Sequence, residues 1–199
     1  MESLEQTKTL KEDNEKYCGS IHLILGCMFS GKTTELVRNI KRFRSIGRTT
    51  MVINYHLDNR YGENTVSTHD SIGVDAYMIN NLNNVHSNNK LKNIYKKSKY
   101  IFINEGQFFE NLYEFCINAA NNDNKIIYVC GLDGDFKQKK FGELIDLIPV
   151  CDSLVKLHAL CKVCGCKASF TKRNTNEGGQ VVIGNDNMYS AVCRKHYFS

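Results

Sequence analysis

The sequence predicts an α/β fold: a parallel sheet with helices on both faces, followed by a small cysteine-rich unit. Short apolar runs alternate with amphipathic stretches between residues 20 and 160, the pattern of strand–helix–strand units. The first apolar run leads into Gly26-x4-Gly31-Lys32-Thr33 and then a helical stretch, the setting in which that motif holds phosphate. After Leu160 the composition turns to Cys, Gly and Lys with short β-like pieces, which predicts a separate second unit.

Element by element, "SIHLILG" (20–26) reads as a buried strand. Residues 31–46 read as a helix, with Leu36, Val37, Ile40 and Phe43 on one face and Arg38, Lys41, Arg42 and Arg44 on the other. "TTMVINY" (49–55) is a second strand, "HLDNRYGEN" a loop, and "GVDAYMI" (73–79) a third strand. The Asn- and Lys-rich stretch that follows predicts only a short helix near 88–97. "YIFINE" (100–105) is a buried strand ending in polar groups. Residues 109–122 read as a helix, 125–134 as another buried strand and its loop, and 152–160 as a last short strand. The predicted organisation is a disordered N-terminal extension (1–17), a phosphate-binding α/β domain (18–158) and a small cysteine-rich second unit (159–199).

A chain of 199 residues suits one domain with a small appendage. The polar start "MESLEQTKTLKEDNEKY" lacks the apolar centre of a secretory signal, and no apolar run is long enough to span a bilayer. An intracellular, cytoplasmic setting without a membrane partner is therefore expected. In that setting the nine cysteines should be reduced and used for metal binding or burial. Cys27, Cys116, Cys130 and Cys151 sit in or beside apolar segments and are expected in the core. Net charge +5 suits a polyanionic ligand such as a nucleotide. A nucleic-acid-dependent ATPase would need a longer motor core and a basic stripe with interleaved aromatics. Here the basic residues lie mostly on the first helix and in scattered loops, so no nucleic-acid partner is expected.

The glycines of such a loop let successive backbone N–H groups turn inward, and the helix N-terminus adds a positive end. Lys32 reaches the β- and γ-phosphates and the Thr33 hydroxyl holds Mg²⁺. A second element, a buried strand ending in an acid near the metal, is supplied by "YIFINEGQFF". At its tip Asn104 stands where an aspartate is expected. An amide oxygen can accept from a metal-bound water but brings no charge. Glu105 follows, and its carboxylate suits proton removal from an attacking hydroxyl. On the loop "HLDNRY", Asp58 and Arg60 are candidates, Arg60 for charge on a transferred phosphoryl group.

In the tail, Cys161-x2-Cys164 and Cys193-x2-His196 suggest a four-coordinate structural zinc, with Cys166 a further thiol able to replace one of the first pair. Such a site would pin both ends of segment 165–192, making it a tethered loop of the kind that covers a ligand.

Together these stretches resemble a family. "GCMFSGKTTELVRNIKR", "DNRY", "NEGQFF", "GLDGDFKQKKFG", "VKLHALCKVC", "ASFTKR" and "MYSAVCRKHYF" run in the order of the small, zinc-containing thymidine kinases of cytosolic and viral type, covering residues about 19 to 198. The resemblance implies a Rossmann-like (RecA-like) ATP-binding domain and a zinc domain with a lasso-like loop, assembled as a homotetramer. It implies transfer of the ATP γ-phosphate to the 5′-hydroxyl of thymidine, giving dTMP for deoxynucleotide salvage. Deoxyuridine is implied as a second substrate and dTTP as a feedback inhibitor.

By the same resemblance, ATP is held by Gly26, Cys27, Met28, Phe29, Ser30, Gly31, Lys32 and Thr33, by Asp58, Asn59 and Arg60, and by Asn104, Glu105, Gly106 and Gln107. Glu105 is the general base, with Lys32 and Arg60 at the transferred phosphoryl group. Met28, Leu132, Phe136, Phe141 and Thr171 line the base pocket. Gln180, Val181, Val182, Ile183, Gly184 and Tyr189 belong to the loop over the nucleoside. The cofactors implied are Mg²⁺, at Thr33 and Asn104, and structural Zn²⁺.

Three departures from the family's pattern carry expectations. Asn104 replaces its aspartate, so weaker Mg²⁺ binding and a slower enzyme are expected; the alternative reading is a catalytically weakened nucleotide-binding relative. Cys27 replaces a proline, with little effect expected. His196 takes a ligand place often filled by cysteine, and imidazole serves zinc as well.

Overall fold

The computed structural model describes residues 18–56, 65–67, 73–175 and 188–199. Strands β1 (Ser20–Gly26), β2 (Thr50–Tyr55), β5 (Tyr77–Ile79), β6 (Tyr100–Ile103), β7 (Ile126–Leu132) and β8 (Ser153–Leu157) form one parallel six-stranded sheet in the order β5-β2-β6-β7-β1-β8. Because side chains alternate along a strand, the apolar runs divide between two faces. Ile21, Leu23 and Leu25 of β1 face a core shared with Leu91 and Tyr95 of α3 (Asn89–Lys97) and Leu112, Phe115 and Cys116 of α4 (Leu112–Asn121). Ile24, Val52, Phe102 and Cys130 face Leu36, Val37 and Ile40 of α1 (Lys32–Ser45). The predicted helical faces and the two-sided burial of the strands are both present.

The differences from expectation lie in the irregular parts. The expected strand 73–79 divides into β4 (Gly73–Asp75) and β5 at Ala76. β4 pairs antiparallel with β3 (Thr65–Ser67), while β5 joins the main sheet beside β2. The helix expected near 88–97 is preceded by a single turn, α2 (Asn84–Ser87). Asn88 separates the two and caps α3, its side-chain oxygen accepting from the N–H groups of Lys90 and Leu91. A 3₁₀ segment over Leu144–Val150, absent from the sequence reading, buries Leu144 and Leu147. It holds Pro149, which explains why its pattern does not read as a helix.

Beyond β8 the chain forms small antiparallel pairs: β9 (Ala159–Leu160) with β10 (Lys167–Ala168), and β11 (Phe170–Arg173) with β12 (Tyr189–Val192). It closes on α5 (Arg194–Phe198). Among the described residues no helix is long and apolar enough to cross a membrane.

Candidate active site and zinc centre

The carboxyl ends of the parallel strands converge on the phosphate loop, the place where open α/β sheets bind ligands. Gly26 ends β1, and its left-handed backbone (φ 155°) is required: a Cβ there would lie 2.6 Å from both the Leu157 carbonyl oxygen and Ser30 Oγ. Gly31 caps α1 with φ 82°. Phe29 also has positive φ, at 63°, a conformation that costs a non-glycine residue roughly 1–3 kcal/mol and clusters at ligand clamps. Ser30 Oγ donates to the Cys27 carbonyl at 2.8 Å. Lys32 Nζ donates to the same carbonyl at 2.8 Å, so the lysine lies folded over its own loop. Thr33 follows on the first turn of α1, half-buried.

The loop is joined to the C-terminal unit. The Met28 N–H donates to Thr171 Oγ1 on β11 at 3.0 Å, and the Cys27 thiol donates to the Ala168 carbonyl at 3.6 Å. Burial holds the Cys27 thiol above its ordinary pKa, which keeps the proton for that bond. Cys27 also shares an apolar cluster with Ala159, Cys161, Ala168, Ala191 and Val192. The residue at position 27 thus packs into the tail as well as occupying the phosphate loop.

Asn104 and Glu105 follow the end of β6 at Ile103 and have different partners. Asn104 points to the α1 side and is buried. Its Nδ2 donates to Asn54 Oδ1 at 2.9 Å, and its Oδ1 accepts from the Cys130 thiol at 2.9 Å. This neutral row runs across β2, β6 and β7. Glu105 adopts a left-handed conformation (φ 52°) and starts the 3₁₀ turn Gly106–Phe108. Its Oε2 accepts from Gln107 Nε2 at 2.6 Å, while Gln107 Oε1 accepts from the Leu132 N–H at 3.1 Å.

The base-pocket candidates divide between the loop after β7 and the tail. Phe141 stacks edge-on against Phe108, with ring centroids 5.4 Å apart. The Arg173 guanidinium lies over the Phe136 ring at 3.7 Å and donates to the Tyr189 hydroxyl at 2.9 Å. Sequence reasoning missed Arg173 as a link between these aromatics; its place inside "ASFTKR" was the available signal. Tyr197 on α5 donates its hydroxyl to the Phe136 carbonyl at 2.8 Å. Asp58, Asn59 and Arg60, and Gln180, Val181, Val182, Ile183 and Gly184, lie outside the described residues. The strands flanking the latter group are paired, with Arg173 opposite Tyr189.

The four predicted zinc ligands come together: the ligand atoms of Cys161, Cys164, Cys193 and His196 all lie within 4.8 Å of one another. Cys164 Sγ is 3.8 Å from Cys193 Sγ, and His196 Nδ1 is 3.5 Å from Cys161 Sγ and 3.3 Å from Cys193 Sγ. Tetrahedral Zn–S bonds of about 2.3 Å place sulfurs roughly 3.8 Å apart, so the four fit zinc. Burial opposes ionisation of Cys161, but the backbone N–H groups of Cys193, Cys164 and Val163 outweigh it and bring the thiol down to about 6. Cys166 is exposed and is not among the four.

A groove of about 600 Å³ between β5 and α2–α3, lined by residues such as Tyr77, Asn84 and Lys90, lies at the sheet's β5 edge. It holds none of the phosphate-loop, Glu105 or zinc residues.

Comparison with known proteins bears on this arrangement. A family model described as "Thymidine kinase" matches residues 19–197. The chain is 44% identical over 181 residues to "Thymidine kinase a" of Arabidopsis thaliana, covering 91% of this chain and 76% of that protein. It is 44% identical over 180 residues to the thymidine kinase of Yaba monkey tumor virus, covering 90% and 95%. It is 42% identical over 179 residues to that of Vaccinia virus (strain Western Reserve), covering 90% and 97%.

Proposed function

The chain belongs to the thymidine kinase family, and on that premise we propose that it transfers the γ-phosphate of ATP to the 5′-hydroxyl of thymidine or deoxyuridine, giving dTMP or dUMP and ADP. The observation that carries the reading is a phosphate loop bonded directly to a Cys3His tail, in a chain matched by the family over 19–197.

In this reading Lys32 leaves the Cys27 carbonyl to meet phosphate oxygens, and the N–H groups of the loop hold the remainder. Glu105 takes the proton from the 5′-hydroxyl as its oxygen bonds to the γ-phosphorus, and the bond from that phosphorus to the β–γ bridging oxygen breaks. Arg60 neutralises charge on the transferred group, and Asp58 and Asn59 support it. Phe136, Phe141, Leu132, Met28, Thr171 and Tyr189 enclose the base. Gln180, Val181, Val182, Ile183 and Gly184, outside the described residues, are assigned to the nucleoside side of the site by the family resemblance.

Mg²⁺ would be held by the Thr33 hydroxyl and, through water, by Asn104, whose Oδ1 keeps one lone pair beside the Cys130 thiol bond. When bound there, it would supply charge neutralisation on the phosphates. Zinc in the Cys161, Cys164, Cys193 and His196 site leaves no open position, so its role is structural.

The weakened-relative alternative rests on Asn104 alone, and the comparisons lend it no support. Replacing Asn104 with Asp tests how much the missing charge matters. The new carboxylate still accepts from Cys130 but needs the Asn54 amide to flip and donate. The expected outcome is half-maximal rate at several-fold lower free Mg²⁺. An unchanged Mg²⁺ dependence and rate would mean the site does not use charge there.

Phosphate transfer from Mg·ATP to thymidine, deoxyuridine, deoxycytidine, deoxyadenosine and deoxyguanosine tests the whole reading. Product confined to the first two is expected; no product with any of them overturns it. The homotetramer, dTTP inhibition and cytoplasmic location belong to the same proposal. The half-exposed Leu154 and Val155 on edge strand β8 support burial in an assembly. Running the assay with added dTTP, on protein sized by sedimentation, reads inhibition and assembly together.

A further inference from the structure

We propose that Gln107 is the positioning residue for Glu105, one amide tying the proton acceptor to the wall of the nucleoside pocket. The inference rests on the reading of Glu105 as base and assigns that base its support.

The Gln107 side chain is 3% exposed, and each end of its amide has a partner. Oε1 accepts from the Leu132 N–H at 3.1 Å and Nε2 donates to Glu105 Oε2 at 2.6 Å. The direction follows from chemistry. A backbone N–H can only donate, so the amide oxygen must face Leu132, and the NH₂ then faces the carboxylate. The bed for this amide is built by two glycines. A Cβ at Gly131 would lie 2.3 Å from Gln107 Oε1, and one at Gly142 (φ +62°) would lie 2.2 Å from the Gln107 carbonyl oxygen. A side chain at either glycine would displace Gln107, so both positions keep room for its amide.

The consequences are specific. Glu105 sits in a left-handed backbone conformation (φ 52°) at the start of a short turn, a conformation of the kind that clusters at active sites. The Gln107 donor holds Oε2 in place, and a donor of this kind favours the ionised form of a carboxylate, the one able to accept a proton. The same amide anchors Leu132, the pocket residue at the end of β7, so base and pocket wall keep one spacing. Spacing of this kind governs attack geometry.

Gln107→Glu keeps the shape and one acceptor for Leu132, but sets a second carboxyl against Glu105. The two then share a proton, and the acidic limb of kcat/KM against pH is expected to move up by about one unit or more. The thymidine KM should stay within about threefold while kcat at neutral pH falls roughly tenfold or more because the carboxylate loses its directing donor; the moved limb adds to the loss only at acid pH. In a Glu105→Gln background the same change should add little further loss, because the group that Gln107 positions is already gone. If Gln107→Glu does not fold, Gln107→Asn, too short to reach both partners, takes its place with the kcat, KM and cycle readouts. An unmoved acidic limb in Gln107→Glu, or losses that simply add to those of Glu105→Gln in either variant, would overturn the positioning role. A loss below tenfold in Glu105→Gln alone would instead sink the base reading and leave Gln107 with nothing to position.

Discussion

Glu105→Gln is expected to lower kcat for thymidine about 10²–10⁴-fold, the usual weight of a general base. That corresponds to roughly 3–5 kcal/mol of barrier. The substitution is close to isosteric, and its new amide keeps an oxygen to accept from Gln107 Nε2, so the turn at Gly106–Phe108 should survive. Binding of both substrates should change little, because the proposed phosphate contacts lie in the loop between β1 and α1 and the proposed base contacts after β7 and in the tail. Single-turnover transfer measured beside a thermal melt separates the two cases. A large loss in rate with an unchanged melt and unchanged thymidine KM is the expected pair. A loss under tenfold would take Glu105 out of the role. Gln107, bonded to Glu105 itself, would then be read as a structural amide.

Much of this site was legible before the fold was known, because its chemistry is local in sequence. Gly26, Gly31, Lys32 and Thr33 announce themselves by spacing, and the structure supplies the reason for Gly26 in the crowding of Leu157 and Ser30. The candidate zinc ligands announce themselves in the same way, as two short pairs, and the fold closes them into one cluster. What spacing does not carry is contact across the sheet. The Asn54–Asn104–Cys130 row joins residues of three strands, and nothing local to Asn104 identifies its partners. The Cys27–Ala168 and Met28–Thr171 bonds are hidden for the same reason, spanning more than a hundred positions. The irregular elements failed differently. α2 is a single turn and β4 and β5 have three residues each, too few for a period to be read, and Asn-rich sequence favours turns and caps over long elements.

Those cross-chain bonds decide what loss of zinc should do. The C-terminal unit has little core of its own. Its buried apolar residues beside Cys161 are Ala159, Ala168, Ala191 and Val192, with the partly buried rings of Phe170 and Tyr197 packed against them, and Cys27 and Phe29 of the phosphate loop complete the cluster. Burying these small side chains and part of two rings contributes on the order of a few kcal/mol. Structural zinc in small domains contributes about 10–16 kcal/mol at neutral pH, so the metal dominates. His196 and Tyr197 are neighbours on α5, and Tyr197 holds the Phe136 carbonyl while Thr171 holds the Met28 N–H. Stripping the metal, or replacing Cys193 with Ser, should therefore loosen the base pocket and the phosphate loop together. The expected result is loss of one zinc per chain by metal analysis, faster tryptic cleavage within 160–199, and more than tenfold loss of thymidine phosphorylation. The parallel sheet should persist in far-ultraviolet circular dichroism, since β1, β2, β6 and β7 bury their own faces against α1, α3 and α4. Zinc-free protein that keeps both its melting temperature and its activity would show that the tail holds its shape without metal. The two bonds to the phosphate loop would then have to be sustained by Cys27 and Thr171 alone.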